Sequence, residues 1–154
     1  MSHAFVLSHL PFLGKHDNVI YRNECILKIT KDFRLSTFDS VFIFGDLNYR
    51  VNTPNLLFDP KNDQLRQYIK ASNSPIKDYK EKDPTFPPTC KLKTNREKSC
   101  QVYKEECYDK KRTPSWCDRI IYKSSMYKMS NYQVVDTDGT FSSDHMPVLA
   151  IFNK

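Results

Sequence analysis

The stretch VFIFGDLNYR, residues 41–50, carries an aspartate and an asparagine two positions apart just after an apolar run. Asp46 can accept a proton and Asn48 can donate to an oxyanion, and in an extended segment an i, i+2 pair points the same way. The same residues also suit a capped turn, in which both side chains only satisfy backbone amides. Two later stretches raise the same choice. RTPSWCDRIIY, residues 112–122, places Asp118 and Arg119 at the mouth of a second apolar run, where they serve either a site or a structural ion pair. SSDHMPVLAIF, residues 142–152, sets Asp144 beside His145 ahead of a third run, as chemistry or as a loop turn. Three clusters of Asp, Asn, Arg and His at run edges fit one site built from several strand ends.

Positioning such a site requires strands, and the pattern supplies them. Val41, Phe42, Ile43 and Phe44 do not alternate with polar residues, so this strand is expected to be covered on both faces. Gly45 permits a backbone geometry that a Cβ would hinder. Ahead of it, a strand is expected over Ala4–His9 and a helix over Asn18–Phe33, with Val19, Ile26, Ile29 and Phe33 on its buried stripe. A short helix is expected over Lys61–Ala71, ended by the Ser72–Pro75 cluster. From there to Pro114 the chain reads as one long irregular stretch. Strands over Asp118–Lys123, Tyr132–Asp136 and Val148–Phe152 complete a mixed sheet. The class is α/β.

Length allows one compact domain: 154 residues, 39% hydrophobic and 13% aromatic, read as globular rather than disordered. No apolar run approaches the roughly 18 residues of a membrane span, and no signal-peptide pattern stands at the start. Cys25, Cys90, Cys100, Cys107 and Cys117 form no CxxC pair and no zinc spacing, so reduced cytosolic thiols are expected. The net charge is +6. Between Lys77 and Lys123 there are 13 Lys plus Arg against 8 Asp plus Glu, so nearly all of the excess sits there. That suits a solvated loop or an anion-binding surface, and charge alone does not choose.

FIFGDLNYR, RTPSWCDRIIY and SSDHMPVLAIF, in this order, resemble the signature blocks of the inositol polyphosphate 5-phosphatases of the endonuclease/exonuclease/phosphatase superfamily. FVLSHLPFLGKHDNVIYRN resembles that family's SHL strand and RN-bearing helix, and FPPTCKL resembles its PPTYK segment. The resemblance implies a four-layer α/β sandwich, of which this chain supplies the C-terminal part, residues 1–154, with a mixed sheet and flanking helices. It implies Mg²⁺-dependent removal of the 5-phosphate from inositol polyphosphates or from phosphoinositides such as phosphatidylinositol 4,5-bisphosphate. It places catalysis on Asp46 as general base, Asn48 on the phosphate or the attacking water, His145 and His9 on the scissile phosphate, and Asp118 orienting His145. Asp144 is implied at the Mg²⁺ shell, and Lys91, Lys110 and Arg112 on the neighbouring 4-phosphate. Cys90 replaces the tyrosine expected before Lys91, which removes a hydroxyl donor; Trp116 is expected beneath the Asp118 strand.

A metal-binding glutamate and an asparagine that the family carries ahead of the SHL strand have no counterpart in this sequence. The resemblance therefore implies a chain with little or no activity alone, whose sheet lacks its partner and which self-associates, aggregates or remains partly molten unless a second sheet is supplied. Three readings follow: the 5-phosphatase, a nuclease of the same superfamily, and a catalytically dead fragment that binds phosphoinositides or protein. The PSWCDRI block and the lysine pair favour the phosphatase, so nucleic acid is not the expected partner. The expected setting is cytoplasmic, at the periphery of membranes.

Overall fold

The structure is a computed structural model that describes residues 1–12, 18–51, 60–94, 105–109, 111–135 and 142–154. Strand β1, His3–Leu7, leads to helix α1, Val19–Asp32, whose first turn is capped by the Asn18 side chain accepting from the Tyr21 amide at 3.3 Å. Strand β2, Ser40–Asp46, lies parallel to β1 and antiparallel to β3, Asp118–Ser124, giving the order β1-β2-β3. Helix α2, Gln64–Lys70, follows a short 3-10 turn at Pro60–Asn62 and is capped by Asp63, which accepts from the Arg66 amide.

The closing strands differ from the expected single sheet. Among the described residues β4, Lys128–Val134, and β5, Val148–Asn153, pair with each other alone, as a separate antiparallel ribbon with a bulge between Met129 and Asn131. That ribbon lies over one face of the three-stranded sheet: Phe42 and Tyr122 meet Met129, Tyr132 and Phe152 in one apolar cluster. The other face is covered by α1 and α2, where Val41, Ile43 and Ile121 pack with Ile26, Leu47 and Leu65. β2 is thus sandwiched as its sequence predicts, with odd residues toward the helices and even residues toward the ribbon.

The expectation of a sheet left without any partner is corrected by this arrangement, since the chain folds its own ribbon onto the β2–β3 face. Val148, Ala150 and Phe152 point into it, whereas Leu149 and Ile151 on β5 point outward. On the sheets, the apolar surface that stays open lies on the outer strands: Phe5 and Leu7 on β1 are 69% and 76% exposed. Phe33 also departs from its expected place, being exposed because α1 ends at Asp32 and the stripe ends with it.

The long irregular stretch is tethered. Lys80 bridges to Tyr122, Cys90 to both Ser115 and His145, and Leu92 to Tyr108. Cys107 is disulfide-bonded, which corrects the expectation of reduced thiols throughout; a single cross-link needs no repeated spacing, only two residues that folding brings together. Cys25, Cys90 and Cys117 are free.

Candidate active site

Gly45 has φ +122, and a Cβ there would lie 2.2 Å from the Ser8 carbonyl oxygen. That close approach lets β1 continue beside β2, with the Ser8 amide donating to Phe44 O at 2.9 Å and the Leu10 amide to Asp46 O at 2.8 Å. His9 is thereby held above the end of β2, with Nε2 3.4 Å from Asp46 Oδ2. The imidazole itself stays largely exposed.

Register brings in the second carboxylate. In the β2–β3 ladder Asp46 stands opposite Asp118. The third member arrives through the segment around Thr89 and Cys90, which lies between the other two motifs. Cys90 pairs with Ser115 on one side and His145 on the other, and the Met146 amide donates to Thr89 O at 3.0 Å. His145 Nδ1 then lies 2.9 and 3.1 Å from the two oxygens of Asp118, and its Nε2 is 4.0 Å from Asp46 Oδ2. The Thr89 hydroxyl donates to Asp118 Oδ2 at 2.7 Å. Asp46, Asp118 and His145 each turn one ligand atom to a common point, all within 4.8 Å of one another.

The electrostatics follow from this crowding. Burial and then the Asp118 charge raise the proton affinity of Asp46 above the usual carboxylate range. Asp118, followed by Cys90, pushes the His145 imidazole up to about 11, so it is a cation at neutral pH. Hydrogen bonds from Cys117 and His145 hold the Cys90 thiol below its ordinary value, and burial pushes Cys117 above its own.

Asn48 is not extended: its φ is +53, and the chain turns there. Asp46 Oδ1 accepts the Asn48 amide at 3.0 Å, the Asn48 side chain donates to Leu10 O at 2.8 Å, and its oxygen accepts from Arg50. The asparagine therefore locks the turn that aims Asp46, and the two side chains do not share one direction as an extended pair would. Arg50, buried, also donates to Cys90 Sγ at 3.6 Å, and among the described residues its Nε has no hydrogen-bond partner. Its guanidinium lies 4.6 Å from the Phe12 ring centre, with that of Arg112 at 4.2 Å.

Arg119 goes elsewhere. Opposite Gly45 in the ladder, it points away from Asp118 and binds Asp63 at 2.8 Å and Glu81 through Nε at 2.7 Å, so the neighbouring ion pair with Asp118 does not form. Asp144 is outside the three-residue group: its carboxylate holds Lys91 Nζ at 2.8 Å, which lowers its proton affinity. Lys110 lies outside the described residues. Trp116 is buried against Phe86, donating to its carbonyl at 2.9 Å, as its place beneath the Asp118 strand requires. Thr89 was not singled out as a site-building residue from sequence, although it lies inside the quoted FPPTCKL segment.

The Asp46 and Asp118 oxygens suit a hard divalent cation: two like charges share the site, and Mg²⁺ takes one or two carboxylates while keeping several waters.

Residues 2–151 match the profile of Endonuclease/Exonuclease/phosphatase family 2. A type IV inositol polyphosphate 5-phosphatase 9 from Arabidopsis thaliana is 34% identical across 97% of this chain and 40% of that protein. The phosphatidylinositol 3,4,5-trisphosphate 5-phosphatase 1 of Xenopus laevis is 29% identical across 98% of this chain and 17% of that protein. The chain thus spans at most about two fifths of the length of these relatives. Among solved structures, the inositol polyphosphate 5-phosphatase domain of SPsynaptojanin, in complex with inositol (1,4)-bisphosphate and calcium ion, superposes with a TM-score of 0.68 at 25% identity, over 96% of this chain and 45% of that one. A Cimex nitrophorin, solved as a ferrous NO complex, gives 0.57 at 31% identity over 75% of this chain and 41% of that one. With residues 2–151 matched by that profile, the chain belongs to endonuclease/exonuclease/phosphatase family 2, and over nearly its whole length it is similar to part of the inositol polyphosphate 5-phosphatases.

Proposed function

We propose that these residues are the C-terminal part of a catalytic domain that hydrolyses the 5-phosphate of inositol polyphosphates or phosphoinositides with Mg²⁺. The observation that carries the reading is the convergence of Asp46, Asp118 and His145 at the ends of β2 and β3. In this reading Asp46, its proton affinity raised by burial, takes the proton of the attacking water. Asp118 holds Nδ1 of His145, so the cationic ring presents Nε2–H to a phosphoryl oxygen. Asn48 fixes the turn that aims Asp46, and His9 closes the exposed side of the same carboxylate. The Asp46 and Asp118 oxygens would hold Mg²⁺, which would supply Lewis acidity toward the phosphate. Lys91 and Arg112 meet the neighbouring 4-phosphate, Lys91 exchanging Asp144 for it.

Phosphate release from a 4,5-bisphosphorylated inositol headgroup tests this in two proteins: the chain alone, and the chain fused behind the preceding part of the Arabidopsis thaliana relative's catalytic domain. Mg²⁺-dependent release by the fusion, lost on Asp46→Asn, with at most a trace from the chain alone, is the expected result. Robust EDTA-sensitive release by the 154 residues alone overturns the half-site reading. No release from either protein, with headgroup binding retained, overturns the hydrolase and leaves a binding module.

A further inference from the structure

The floor of the site holds two thiols that the proposed reaction does not use. Cys90 and Cys117 are free, and their residues are 1% and 0% exposed. The Cys90 amide donates to Ser115 O at 3.1 Å and the Ser115 amide donates back to Cys90 O, so the two segments run as a local antiparallel pair. Cys117, two residues beyond Ser115, projects to the same side. Cys117 is the first neighbour that lowers the proton affinity of the Cys90 thiol, and Cys90 follows burial in raising that of Cys117, so the two side chains are neighbours in one buried space. Cys90 Sγ also accepts from the Arg50 guanidinium at 3.6 Å, and Cys117 Sγ hydrogen-bonds the Tyr49 carbonyl at 3.8 Å. A tyrosine in place of Cys90 would leave Cys117 without a second sulfur.

We propose that Cys90 and Cys117 form an oxidisable dithiol, which a small hydroperoxide converts to an intramolecular disulfide. Cys90 is the attacking sulfur because it faces the Arg50 cation and the His145 side of the site, whereas Cys117 lies deeper against Tyr49. Its sulfur bonds the outer peroxide oxygen as the O–O bond breaks; the departing oxygen leaves with the thiol proton as water or alcohol, and Cys90 becomes a sulfenic acid. The Cys117 sulfur then attacks Cys90 Sγ, the S–O bond breaks, and the hydroxyl leaves with the Cys117 proton as water. Two thiols are oxidised and one hydroperoxide is reduced. Burial selects the oxidant by size, admitting a hydroperoxide through local opening and excluding a bulky disulfide such as glutathione disulfide.

The unmodified chain is the test material. It is exposed to hydrogen peroxide, unfolded, alkylated with iodoacetamide and digested with trypsin, with half-buried Cys25 as the internal reference. Cys90 falls in peptide 83–91 and Cys117 in peptide 113–119. The expected result is that these two peptides appear joined, two hydrogens lighter than their sum, at a rate roughly tenfold above the loss of Cys25 alkylation. In Cys117→Ser the second step has no attacking sulfur, and dimedone traps Cys90 as the sulfenic acid. The proposal is overturned if both peptides stay separately alkylated after Cys25 has been oxidised. It is equally overturned if Cys90 gains two or three oxygens while Cys117 remains alkylated.

Discussion

Asp118 and Arg119 are neighbours in sequence and opposites in use. Strand alternation sends Asp118 toward Asp46 and His145 and Arg119 to the other face. Around Arg119 the charges close on themselves: Asp63 and Glu81 accept from the guanidinium, Tyr132 donates to Glu81 at 3.1 Å, and all three ionic side chains are at most 4% exposed. Around Asp118 they do not close. Two carboxylates crowd one imidazole, Asp46 keeps a raised proton affinity, and the side chains remain partly open to solvent. Both clusters set two carboxylates on one cation; the buried one holds elements together, whereas the partly open one can receive a further cation or a proton.

The largest effect separating the two sides is expected at Arg119. Arg119→Met leaves the Asp63 and Glu81 carboxylates buried without their cation and costs about 3–5 kcal/mol of stability. Urea unfolding reads it, and a loss below about 1 kcal/mol would place that network among decorative surface pairs.

Asp46→Asn should do the reverse. It removes the proton acceptor, so Mg²⁺-dependent phosphate release in the fused protein falls by about a hundredfold or more. Stability stays level or rises, because one of two crowded carboxylates is gone. A variant that loses stability as heavily as Arg119→Met would erase the contrast.

The His145–Asp118 pair makes the contrast depend on pH. A histidine raised from 6.5 to about 11 in the folded state contributes stability that is complete below pH 6.5 and declines as pH rises toward 11. Cys90, lowered on folding, runs the other way over part of that window. The comparison is therefore wild type against Asp118→Asn, both of which keep Cys90. Without divalent metal, the stability advantage of wild type over Asp118→Asn is expected to shrink between pH 7 and about 9. A constant difference across that range would mean that Asp118 does not set the charge of His145.

The smallest effect concerns recognition. Lys91→Ala with Arg112→Ala should weaken binding to vesicles carrying a 4,5-bisphosphorylated inositol lipid by about tenfold to thirtyfold, at about 1 kcal/mol per cation. Vesicles of equal charge without that headgroup should show a smaller loss. Equal losses on both would reduce the two cations to diffuse electrostatics.

Much of this was legible in local pattern. The run Val41–Phe44 announced a strand covered on both faces, Asn18 announced the start of α1, and three polar clusters at strand edges announced a composite site. Other features were not. Asn48 and Asp46 looked like partners in an extended segment, but the left-handed turn at Asn48 makes one the support of the other. The β4–β5 ribbon carries the same alternation whether it extends a sheet or folds across it, because periodicity reports which residues are covered and not what covers them. Glu81 carried no signal at all; its meaning comes from a guanidinium 38 residues away.

Sequence by itself determined the chemical inventory and its placement at strand ends, since apolar runs and turn residues act over a few positions. It also determined that Asp118 and Arg119, if in a strand, must face opposite ways. Which face became the site was decided only in three dimensions. The β2–β3 register sets Asp46 against Asp118, and the Thr89–Cys90 segment carries His145 to them. Helix and loop packing meanwhile delivers Asp63 and Glu81 to Arg119. Charges separated by dozens of residues acquire partners only when the backbone fixes their distances, and it is the partner, more than the residue type, that makes one cluster structural and leaves the other open to chemistry.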